Sequence, residues 1–288
     1  MVSIILVQHN RSDLTREALR TLHDHGVSGH QVILVDNGST EPGALSWTSG
    51  FPSLQVHRLA GGRGFGAANN EGARAANGEF LLFLNNDSVI IQEVLSPIER
   101  YFRAHPACGA IGLGLLNADG TPQNSVGKWP SILNEWKMQH HRKLYNEDEY
   151  KSVDWVTAAA VAVRREVFER IGGFDERFFM YFEDADLCRR IRNAGWEVHF
   201  VPSVRVIHLK GGSQERGMPP AIRFEYRRSQ LLYYCSHATC MQQGLLRLLF
   251  CGKAIALWLK GGETGRGLSG KIIRLACSRC AESALEKE

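Results

Sequence analysis

Short apolar runs rich in β-branched residues alternate with amphipathic segments over the first third of the chain. Runs of the first kind fit strands buried on both faces, and apolar residues spaced three and four apart fit one side of a helix. The predicted strands and helices, in chain order, are Val2–Val7, Asp13–His25, Gln31–Val35, Leu54–Leu59, Ala67–Ala76 and Glu79–Leu84. Strands and helices that alternate at this spacing predict an α/β fold with a mostly parallel, doubly wound sheet.

Polar residues follow at least three of these strands at the point where the apolar run stops. The clusters are Gln8-His9-Asn10, Asp36-Asn37-Gly38-Ser39 and Asn85-Asn86-Asp87. Ligands of open α/β sheets bind outside the carboxyl ends of the strands. We therefore expect the three clusters to converge on one binding edge.

The pattern is less regular in the second half of the chain. The polar, tryptophan-bearing stretch Leu115–Tyr150 is interpreted as a long active-site loop with short helices. An apolar stretch, two helices and two short strands are then predicted at Val153–Val163, Arg164–Ile171, Asp184–Asn193, Val198–Val201 and Val204–Ile207. From about residue 212 the sheet pattern ends, and the tail is predicted to be helical.

Composition is that of an ordinary globular protein, with 288 residues, 44% hydrophobic and 22% charged. A net charge of +4 is too small to indicate a nucleic-acid partner, and we expect none. The charge is unevenly distributed, because the range from Arg216 to Arg279 contains eleven Lys and Arg residues and only two acidic residues, Glu225 and Glu263. The tail is therefore basic and the rest of the chain mildly acidic.

The seven cysteines show no disulfide framework, and Cys277 and Cys280 form a single CxxC without a second pair. We expect reduced thiols in a cytosolic compartment. The segment that starts at Met1 has no basic n-region and no cleavage site, so we interpret it as a first strand and not as a signal peptide.

Asp87 is the first candidate for chemistry. A carboxylate at a strand end, with amide oxygens beside it, can hold a hard cation such as Mg²⁺ or Mn²⁺ that also binds substrate phosphates. The alternative is a simple turn, because Asn and Asp are common turn formers. The spacing alone favours neither interpretation.

Glu183, Asp184 and Asp186 follow a run of aromatic and apolar residues directly. Acidic residues also favour the first turn of a helix, and helix capping accounts for one of the three well. Adjacent carboxylates against an aromatic wall are, however, a place where a raised pKa, and hence a general base, can arise. The pattern leaves both interpretations open. His208 follows the last predicted strand, where a lone histidine is more often structural. We interpret it as a metal ligand only if it lies near Asp87.

Two glycine-rich stretches resemble phosphate loops to different degrees. The turn Gly61–Gly66 can bring backbone amides close to a phosphate, but it does not match GxGxxG and does not follow the first strand. A flexible turn is the alternative. The stretch Gly265–Lys271 matches GxxxxGK, but Ile272 stands where a P-loop needs Ser or Thr, so we reject it.

Taken together, the motifs resemble those of family 2 glycosyltransferases with the GT-A fold, and within them bacterial rhamnosyltransferase-like enzymes. The resemblance covers about Val2 to Gly212 and rests on the stretches VSIILVQHN, VDNGST, GRGFGAANNEG, FLNND, GGFDERFFMYFEDADLCRRIRNAGW and VIH. It implies an inverting, metal-dependent transferase that uses a nucleotide-sugar donor, with dTDP-L-rhamnose favoured and a UDP-hexose as the alternative. It also implies a glycan acceptor, lipid-linked in surface polysaccharide or lipopolysaccharide synthesis.

The resemblance also assigns roles to individual residues. Asp184 would be the catalytic base, with Glu183 beside it. Asp87 and His208 would ligate Mg²⁺ or Mn²⁺. The nucleotide-sugar would be bound by Asn10, Asp36, Asn37, Gly64, Asn69, Asn85 and Asn86. Two departures, Gln8-His9 in place of Asn-Tyr and Gly62 in place of Asn, lie on the expected nucleotide side and bear on the identity of the donor.

Three rival functions remain on the same kind of fold: a non-catalytic nucleotide-sugar or glycan-binding module, a nicotinamide oxidoreductase and a nucleotidyltransferase. A non-catalytic module would be expected to lack the acid pair or the metal carboxylate, but Glu183, Asp184 and Asp87 are all present. A nicotinamide oxidoreductase needs the glycine-rich dinucleotide fingerprint after its first strand, and this fingerprint is missing. The nucleotidyltransferase would release pyrophosphate in place of a nucleoside diphosphate.

The tail suggests a membrane surface as a further partner. Residues 244–260 are strongly apolar but contain Arg247 and Lys253, so they fit an interfacial helix better than a spanning one. A helix packed on the catalytic domain, or a dimer contact, is the alternative. We expect a catalytic domain over residues 1–212, a helical extension over residues 213–288, and a location at the inner face of the cytoplasmic membrane.

Overall fold

The structure is a computed structural model, and it describes residues 1–132, 151–209, 219–260 and 262–278. Within these residues the chain forms a nine-stranded sheet and a two-stranded ribbon. The strands are β1 (Val2–Gln8), β2 (Gln31–Asp36), β3 (Leu54–Arg58), β4 (Phe80–Asn85), β5 (Ser88–Ile90), β6 (Cys108–Leu116), β7 (Val126–Gly127), β8 (Lys151–Ser152), β9 (Trp155–Val156), β10 (Ala160–Arg164) and β11 (Glu197–His208). The helices are α1 (Ser12–Asp24), α2 (Phe65–Ala75), α3 (Leu95–Ala104), α4 (Arg165–Arg170), α5 (Glu183–Asn193), α6 (Pro220–His237), α7 (Cys240–Lys260) and α8 (Gly262–Cys277), with a 3-10 turn at Ser46–Gly50.

The sheet has the strand order β3-β2-β1-β4-β10-β6-β11-β5, and β8 pairs with β11. The first four strands in this order are parallel, as are β6 and β11. Because β10 is antiparallel to both β4 and β6, those two strands run in the same direction. The carboxyl ends of the parallel strands therefore lie at one edge, and the predicted mostly parallel α/β fold is confirmed.

The centre of the core is formed by β1 and β4, whose apolar side chains on both faces are almost fully excluded from water. On one face, α1 and α3 bring Leu22 and Phe102 into the same cluster as Phe80. On the other face, α2 approaches closely through Gly72, where a Cβ would lie 2.5 Å from Ile5 Cγ2. The small residues of α2 therefore allow this helix to pack directly on the sheet.

One predicted boundary is wrong. The pattern of residues 198–207 predicts two short strands, but β11 runs through this segment without interruption. Its pairing with β6 shifts register between Val201 and Arg205. Pro202 lies inside the shift and has no backbone N–H to donate, and its carbonyl oxygen would be 2.7 Å from a Cβ at Gly114. In the sequence pattern, a bulge within one strand therefore looks like a gap between two strands.

The longer elements that are not predicted from the sequence include α3 and β6, and the short strand β5 is not predicted either. The sequence of β6 contains Gly109, Gly112 and Gly114, and isolated glycines weaken the pattern of a strand. Close contacts account for these glycines, since a Cβ at Gly112 would lie 2.5 Å from Val156 Cβ. A Cβ at Gly109 would likewise meet Trp196, and one at Gly114 would meet Pro202, so the three glycines reflect close packing that only the three-dimensional structure reveals.

The tail forms α6, α7 and α8, so the prediction of a helical tail is confirmed for the described residues. The stretch Gly265–Lys271 lies inside α8, in agreement with its rejection as a phosphate loop. The predicted domain limit between residues 212 and 213 lies outside the described residues, as does much of the predicted Leu115–Tyr150 loop. None of the described helices combines the length and the apolar character needed to cross a bilayer.

The described residues group into two compact units. The first contains the sheet and comprises residues 1–129, 151–175 and 184–209. The second comprises residues 130–132, 176–183, 219–260 and 262–278. Within the second unit, α6 binds the segment 176–183 directly, because Ser229 Oγ donates a hydrogen bond to the carbonyl oxygen of Met180 at 2.8 Å.

The cysteines agree only in part with the expectation of reduced thiols. Cys108, Cys188, Cys240, Cys251 and Cys277 are free. Cys235 is disulfide-bonded, so the expectation is wrong for this residue, because spacing along the chain does not report which sulfur atoms meet in space. Burial raises the pKa of the Cys108 and Cys188 thiols to about 12, which makes both unreactive.

Candidate functional site

The carboxylate of Asp36 lies fully buried at the carboxyl end of β2. Its Oδ1 accepts long hydrogen bonds of 3.4 Å from Gln8 Nε2 and from the backbone N–H of Ser39. Its Oδ2 is 3.4 Å from Arg58 Nε, within ion-pair distance, but accepts no hydrogen bond. A buried carboxylate oxygen of this kind has room in its hydrogen-bonding capacity for a polar group of a ligand or a water molecule.

Asn37 joins the end of β2 to the glycine-rich turn. Its Nδ2 donates to the carbonyl oxygen of Arg63 and its Oδ1 accepts from the N–H of Arg63, both at 2.7 Å. Gly38 has a positive φ of 71°, and a Cβ there would lie 2.6 Å from the carbonyl carbon of Gly61. Gly64 then precedes the first turn of α2. The two loops are thus held in contact at the amino end of a helix, where backbone N–H groups favour an anion.

Asn10 connects the ends of β1 and β2. Its backbone has a positive φ of 55°, and its N–H donates to Ser39 Oγ at 2.7 Å. Its Oδ1 accepts from the backbone N–H groups of Thr40 and Glu41 at 2.9 and 3.1 Å. Asn10 therefore orders the loop that follows Asp36.

Asn69 and Asn86 have side-chain partners inside the fold. Asn69 Nδ2 donates to the carbonyl oxygen of Phe65 at 2.9 Å within α2. Asn86 Nδ2 donates to Thr15 Oγ1 of α1 at 3.0 Å. These contacts stabilise the loops around the edge, and a contact of either residue with a donor stays a prediction.

Asp87 and His208 meet at the far side of the same edge. Because β5 pairs antiparallel with β11, His208 lies opposite Ser88, the residue after Asp87. Asp87 Oδ1 is 3.2 Å from His208 Nε2, and Asn85 Nδ2 is 3.1 Å from the same nitrogen. Both the carboxylate and the imidazole are about nine-tenths buried. The sheet thus brings together two side chains separated by 121 residues in sequence, as their numbers in the chain show.

This pair fits a divalent metal ion. A carboxylate oxygen suits Mg²⁺ and Mn²⁺, and an imidazole nitrogen is a further ligand for Mn²⁺. Among the described residues, no group of three or more His, Cys, Asp or Glu side chains is arranged to hold an ion. An ion at Asp87 and His208 would therefore need oxygen ligands from substrate phosphates and water, as Mg²⁺ sites of phosphate-binding enzymes commonly do.

Asp184 lies in the first turn of α5. Its Oδ1 accepts the N–H of Ala185 at 2.8 Å, and the carboxylate also accepts from the N–H of Ala158 and the hydroxyl of Thr157. Loss of hydration on burial raises the pKa of Asp184 to about 6, although these hydrogen bonds oppose the shift. A carboxylate with this pKa is ionised at neutral pH and is a stronger base than an ordinary aspartate.

The turn that holds Asp184 is bonded to the strand end that carries Asp87. Ala159, next to Ala158 in this turn, accepts the backbone N–H of Asn85 at 2.9 Å. Asp87 follows Asn85 by two residues. Asp87 therefore follows the end of β4, and Asp184 of α5 is hydrogen-bonded to the turn that precedes the neighbouring strand β10, at the same end of the sheet.

The other two acids of the motif differ in their surroundings. Asp186 Oδ2 accepts a hydrogen bond from Arg190 Nε at 2.8 Å and lies 2.7 Å from Arg190 Nη2, within ion-pair distance. Arg190 Nη1 donates to the carbonyl oxygens of Ile171 and Gly173. Asp186 is thus part of a structural ion pair. Glu183 is buried at the start of α5.

Two residues around the site, Thr157 and Gln123, could not be predicted from the sequence. Thr157 donates to Asp184, and Gln123 contacts His208 at 2.7 Å. Both lie in loops, where a single polar residue resembles many others. An apolar run that stops briefly at Thr157 before β10 is the only local sign of the first, and nothing local indicates the second.

Comparison with known proteins identifies the family. The sequence matches a family model described as glycosyl transferase family 2 over residues 3–172, and a model described as the N-terminal domain of galactosyltransferase over residues 141–211. The chain is 30% identical over 224 residues to rhamnosyltransferase WbbL of Escherichia coli, covering 72% of this chain and 83% of that protein. It is 29% identical over 214 residues to the N-acetylglucosaminyl-diphospho-decaprenol L-rhamnosyltransferase of Mycobacterium tuberculosis, covering 64% of this chain and 68% of that protein.

The fold has relatives among solved structures. The mannosyltransferase PcManGT of Pyrobaculum calidifontis, solved in complex with GDP-Man and Mn²⁺, matches with a TM-score of 0.59 at 18% identity. The match covers 100% of this chain and 88% of that one. At this level of identity the likeness concerns the fold, which is of the GT-A type.

The raised pKa of Asp184 predicts a pH-dependent effect of Asp184→Asn on stability. The folded-state pKa, about 6, exceeds the unfolded value, so the stabilising effect of the protonated group is complete below about pH 4 and is lost as the pH rises through 6. Removing the charge should therefore raise the free energy of unfolding by about 1 to 3 kcal/mol at pH 8 and have little effect at pH 4. Urea unfolding at the two pH values measures this. Equal destabilisation at both would contradict the account.

Proposed function

Since the chain belongs to glycosyltransferase family 2, whose model matches residues 3–172, we propose that it is an inverting, metal-dependent glycosyltransferase of cell-surface polysaccharide synthesis. The observation that carries this proposal is the attachment of Asp87 and Asp184 to one end of the sheet through the hydrogen bond from Asn85 to Ala159. One carboxylate, beside His208, fits a metal ion on a diphosphate. The other, with a raised pKa, fits a base for the acceptor.

In this mechanism the donor is bound at the ends of β1 and β2. The Asp36 carboxylate, whose buried Oδ2 accepts no hydrogen bond, and the loop ordered by Asn10 and Asn37 bind the nucleoside. The turn around Gly64, at the start of α2, lies beside the phosphates. Asp87 and His208 would hold Mg²⁺ or Mn²⁺, which supplies electrostatic stabilisation for the departing nucleoside diphosphate.

Asp184 carries out the proton transfer. Its carboxylate accepts the proton of an acceptor hydroxyl while the hydroxyl oxygen attacks the anomeric carbon on the face opposite the diphosphate. A bond forms between acceptor oxygen and sugar carbon, the bond to the diphosphate breaks, and the anomeric configuration inverts. The hydrogen bonds from Thr157 and Ala158 keep the carboxylate in one orientation during this step.

The favoured donor is dTDP-L-rhamnose, and a UDP-hexose is the alternative. The names of the relatives support rhamnose, since WbbL and the mycobacterial protein are both rhamnosyltransferases. The chain departs from the family pattern at Gln8 and His9, and both contact the proposed nucleoside site. Gln8 donates to Asp36, and His9 Nδ1 is 2.9 Å from the carbonyl oxygen of Asn37. A direct comparison of donors is therefore required.

The acceptor proposed here is a glycan on a lipid carrier, reached from the inner face of the cytoplasmic membrane. One side of α7 presents an apolar stripe of exposed side chains, with exposed fractions between 45% and 72%: Met241, Leu245, Leu248, Ile255 and Leu259. Their spacing of three, four or seven residues aligns them along the helix. Together, the exposed stripe and the absence of Asp and Glu from the sequence of α7 suit an anionic lipid surface.

Basic groups beside the stripe support the same partner. Lys253 lies on α7, and Arg266 of α8 stacks over the Trp258 ring with 5.4 Å between guanidinium carbon and ring centroid. An exposed tryptophan with a neighbouring cation is typical of the headgroup region of a bilayer. The name of the mycobacterial relative, which acts on a diphospho-decaprenol, supports a lipid-linked acceptor.

The catalytic assignment predicts different results for donor binding and turnover. With Mn²⁺ and a panel containing dTDP-rhamnose and UDP-hexoses, one donor should raise the melting temperature and be hydrolysed slowly to nucleoside diphosphate. Asp184→Asn should bind that donor as the wild type does but lose about 10²- to 10⁴-fold in transfer rate. Asp24→Asn, an exposed change on α1, is the control. Release of pyrophosphate, or full activity of Asp184→Asn, would overturn the proposal.

The membrane assignment predicts that lipid binding is lost when negative charges are introduced into the apolar stripe of α7. The double change Leu248→Glu with Leu259→Glu should weaken sedimentation with phosphatidylglycerol-containing vesicles at least about tenfold, because two apolar contacts are replaced by negative charges. Vesicles of phosphatidylcholine alone should bind more weakly than anionic ones. Val56→Glu, at an exposed position of β3, should leave lipid binding unchanged. A wild-type protein that binds neither kind of vesicle would contradict this part of the proposal.

A further inference from the structure

A chain of hydrogen bonds leads from an exposed turn to the imidazole of His208. Asp119 Oδ1 accepts the hydroxyl proton of Thr121 at 2.6 Å. Because that proton is used, Thr121 Oγ1 acts as the acceptor for Asn117 Nδ2 at 3.0 Å. Asn117 Oδ1 is therefore left to accept from Gln123 Nε2, at 2.9 Å. Each bond fixes the direction of the next.

The same series of hydrogen bonds fixes the orientation of the Gln123 amide. Its Nε2 also donates to the carbonyl oxygen of His208 at 3.3 Å, and a carbonyl oxygen can only accept. With both donors used in this way, Gln123 Oε1 faces His208 Nδ1 at 2.7 Å. Since Oε1 is an acceptor, Nδ1 must carry the proton of the neutral ring.

The consequence appears at the other nitrogen of the ring. In the neutral imidazole, Nε2 then holds a lone pair, which Asn85 Nδ2 approaches as a donor at 3.1 Å. The same lone pair is 3.2 Å from Asp87 Oδ1, which is itself an acceptor. Two acceptors this close attract a cation between them.

We propose that Gln123 is a positioning residue that holds His208 in the tautomer with an unprotonated Nε2, so that Asp87 and His208 present matched ligands to a divalent ion. This inference rests on the metal site of the proposed function and deepens it. It assigns a task to the loop from Asn117 to Gln123, which lies next to the carboxyl end of β6. Partners of this kind at the second nitrogen of a metal-binding histidine typically change metal affinity by about 10- to 100-fold.

The test compares two substitutions of one residue. Gln123→Met keeps the length of the side chain and removes the acceptor for Nδ1, whereas Gln123→Glu retains an acceptor oxygen. Gln92→Met is the matched control, because Gln92 Nε2 donates to the carbonyl oxygen of Ser203 on β11, away from His208. Nitrogen-15 NMR of the histidine rings at pH 8, without metal, reports the tautomer directly. Manganese EPR, with Mn²⁺ alone and with added dTDP, reports metal affinity.

We expect a protonated Nδ1 at His208 in the wild type, in Gln123→Glu and in Gln92→Met, and a mixture of tautomers in Gln123→Met. We also expect Gln123→Met to weaken Mn²⁺ binding by about 10- to 100-fold and Gln123→Glu to retain most of it. A wild-type tautomer with the proton on Nε2, or an unchanged tautomer in Gln123→Met, would overturn the inference. The expected tautomers without any Mn²⁺ binding by the wild type would instead refute the metal site of the proposed function.

Discussion

The pairing of β4 with β10 is the constraint on which the site depends. It inserts one antiparallel strand into a parallel sheet, so that the turn before β10 meets the end of β4. The hydrogen bond from Asn85 N–H to Ala159 fixes this meeting point, two residues before Asp87 and next to Ala158, which bonds to Asp184. Asp184 is hydrogen-bonded to Thr157 and Ala158 in the turn before β10, and Asp87 follows the end of β4, so the positions of both carboxylates depend on this pairing.

The same arrangement gives the two carboxylates different surroundings. Asp184 loses hydration at the start of α5, and its pKa rises towards neutrality. Asp87 faces the imidazole of His208, in a place suited to a positive ion. In the proposed mechanism, these two environments separate the role of a base from that of a metal ligand. The cost is a buried charge at neutral pH, and destabilised groups of this kind are common where activity requires them.

Much of this fold could be predicted from the sequence, because the buried strands are apolar runs that end in polar clusters. The strand ends at Asp36 and Asp87 are visible in this way, and both lie within residues 3–172, which match the family model. The bulge at Pro202 and the partners of the site could not be predicted. Gln123 and His208 are 85 residues apart in sequence. The role proposed for Gln123 depends on which atom of its amide faces the imidazole, and no local sequence pattern indicates this.

Calorimetric titration of the protein with dTDP, with and without Mn²⁺, tests the central claim most directly. If Asp87 and His208 hold a metal ion on the diphosphate, Mn²⁺ should strengthen nucleotide binding by at least about tenfold, and this gain should disappear in Asp87→Asn. The same gain in the wild type and in Asp87→Asn would contradict the account, as would binding that does not depend on metal in either protein.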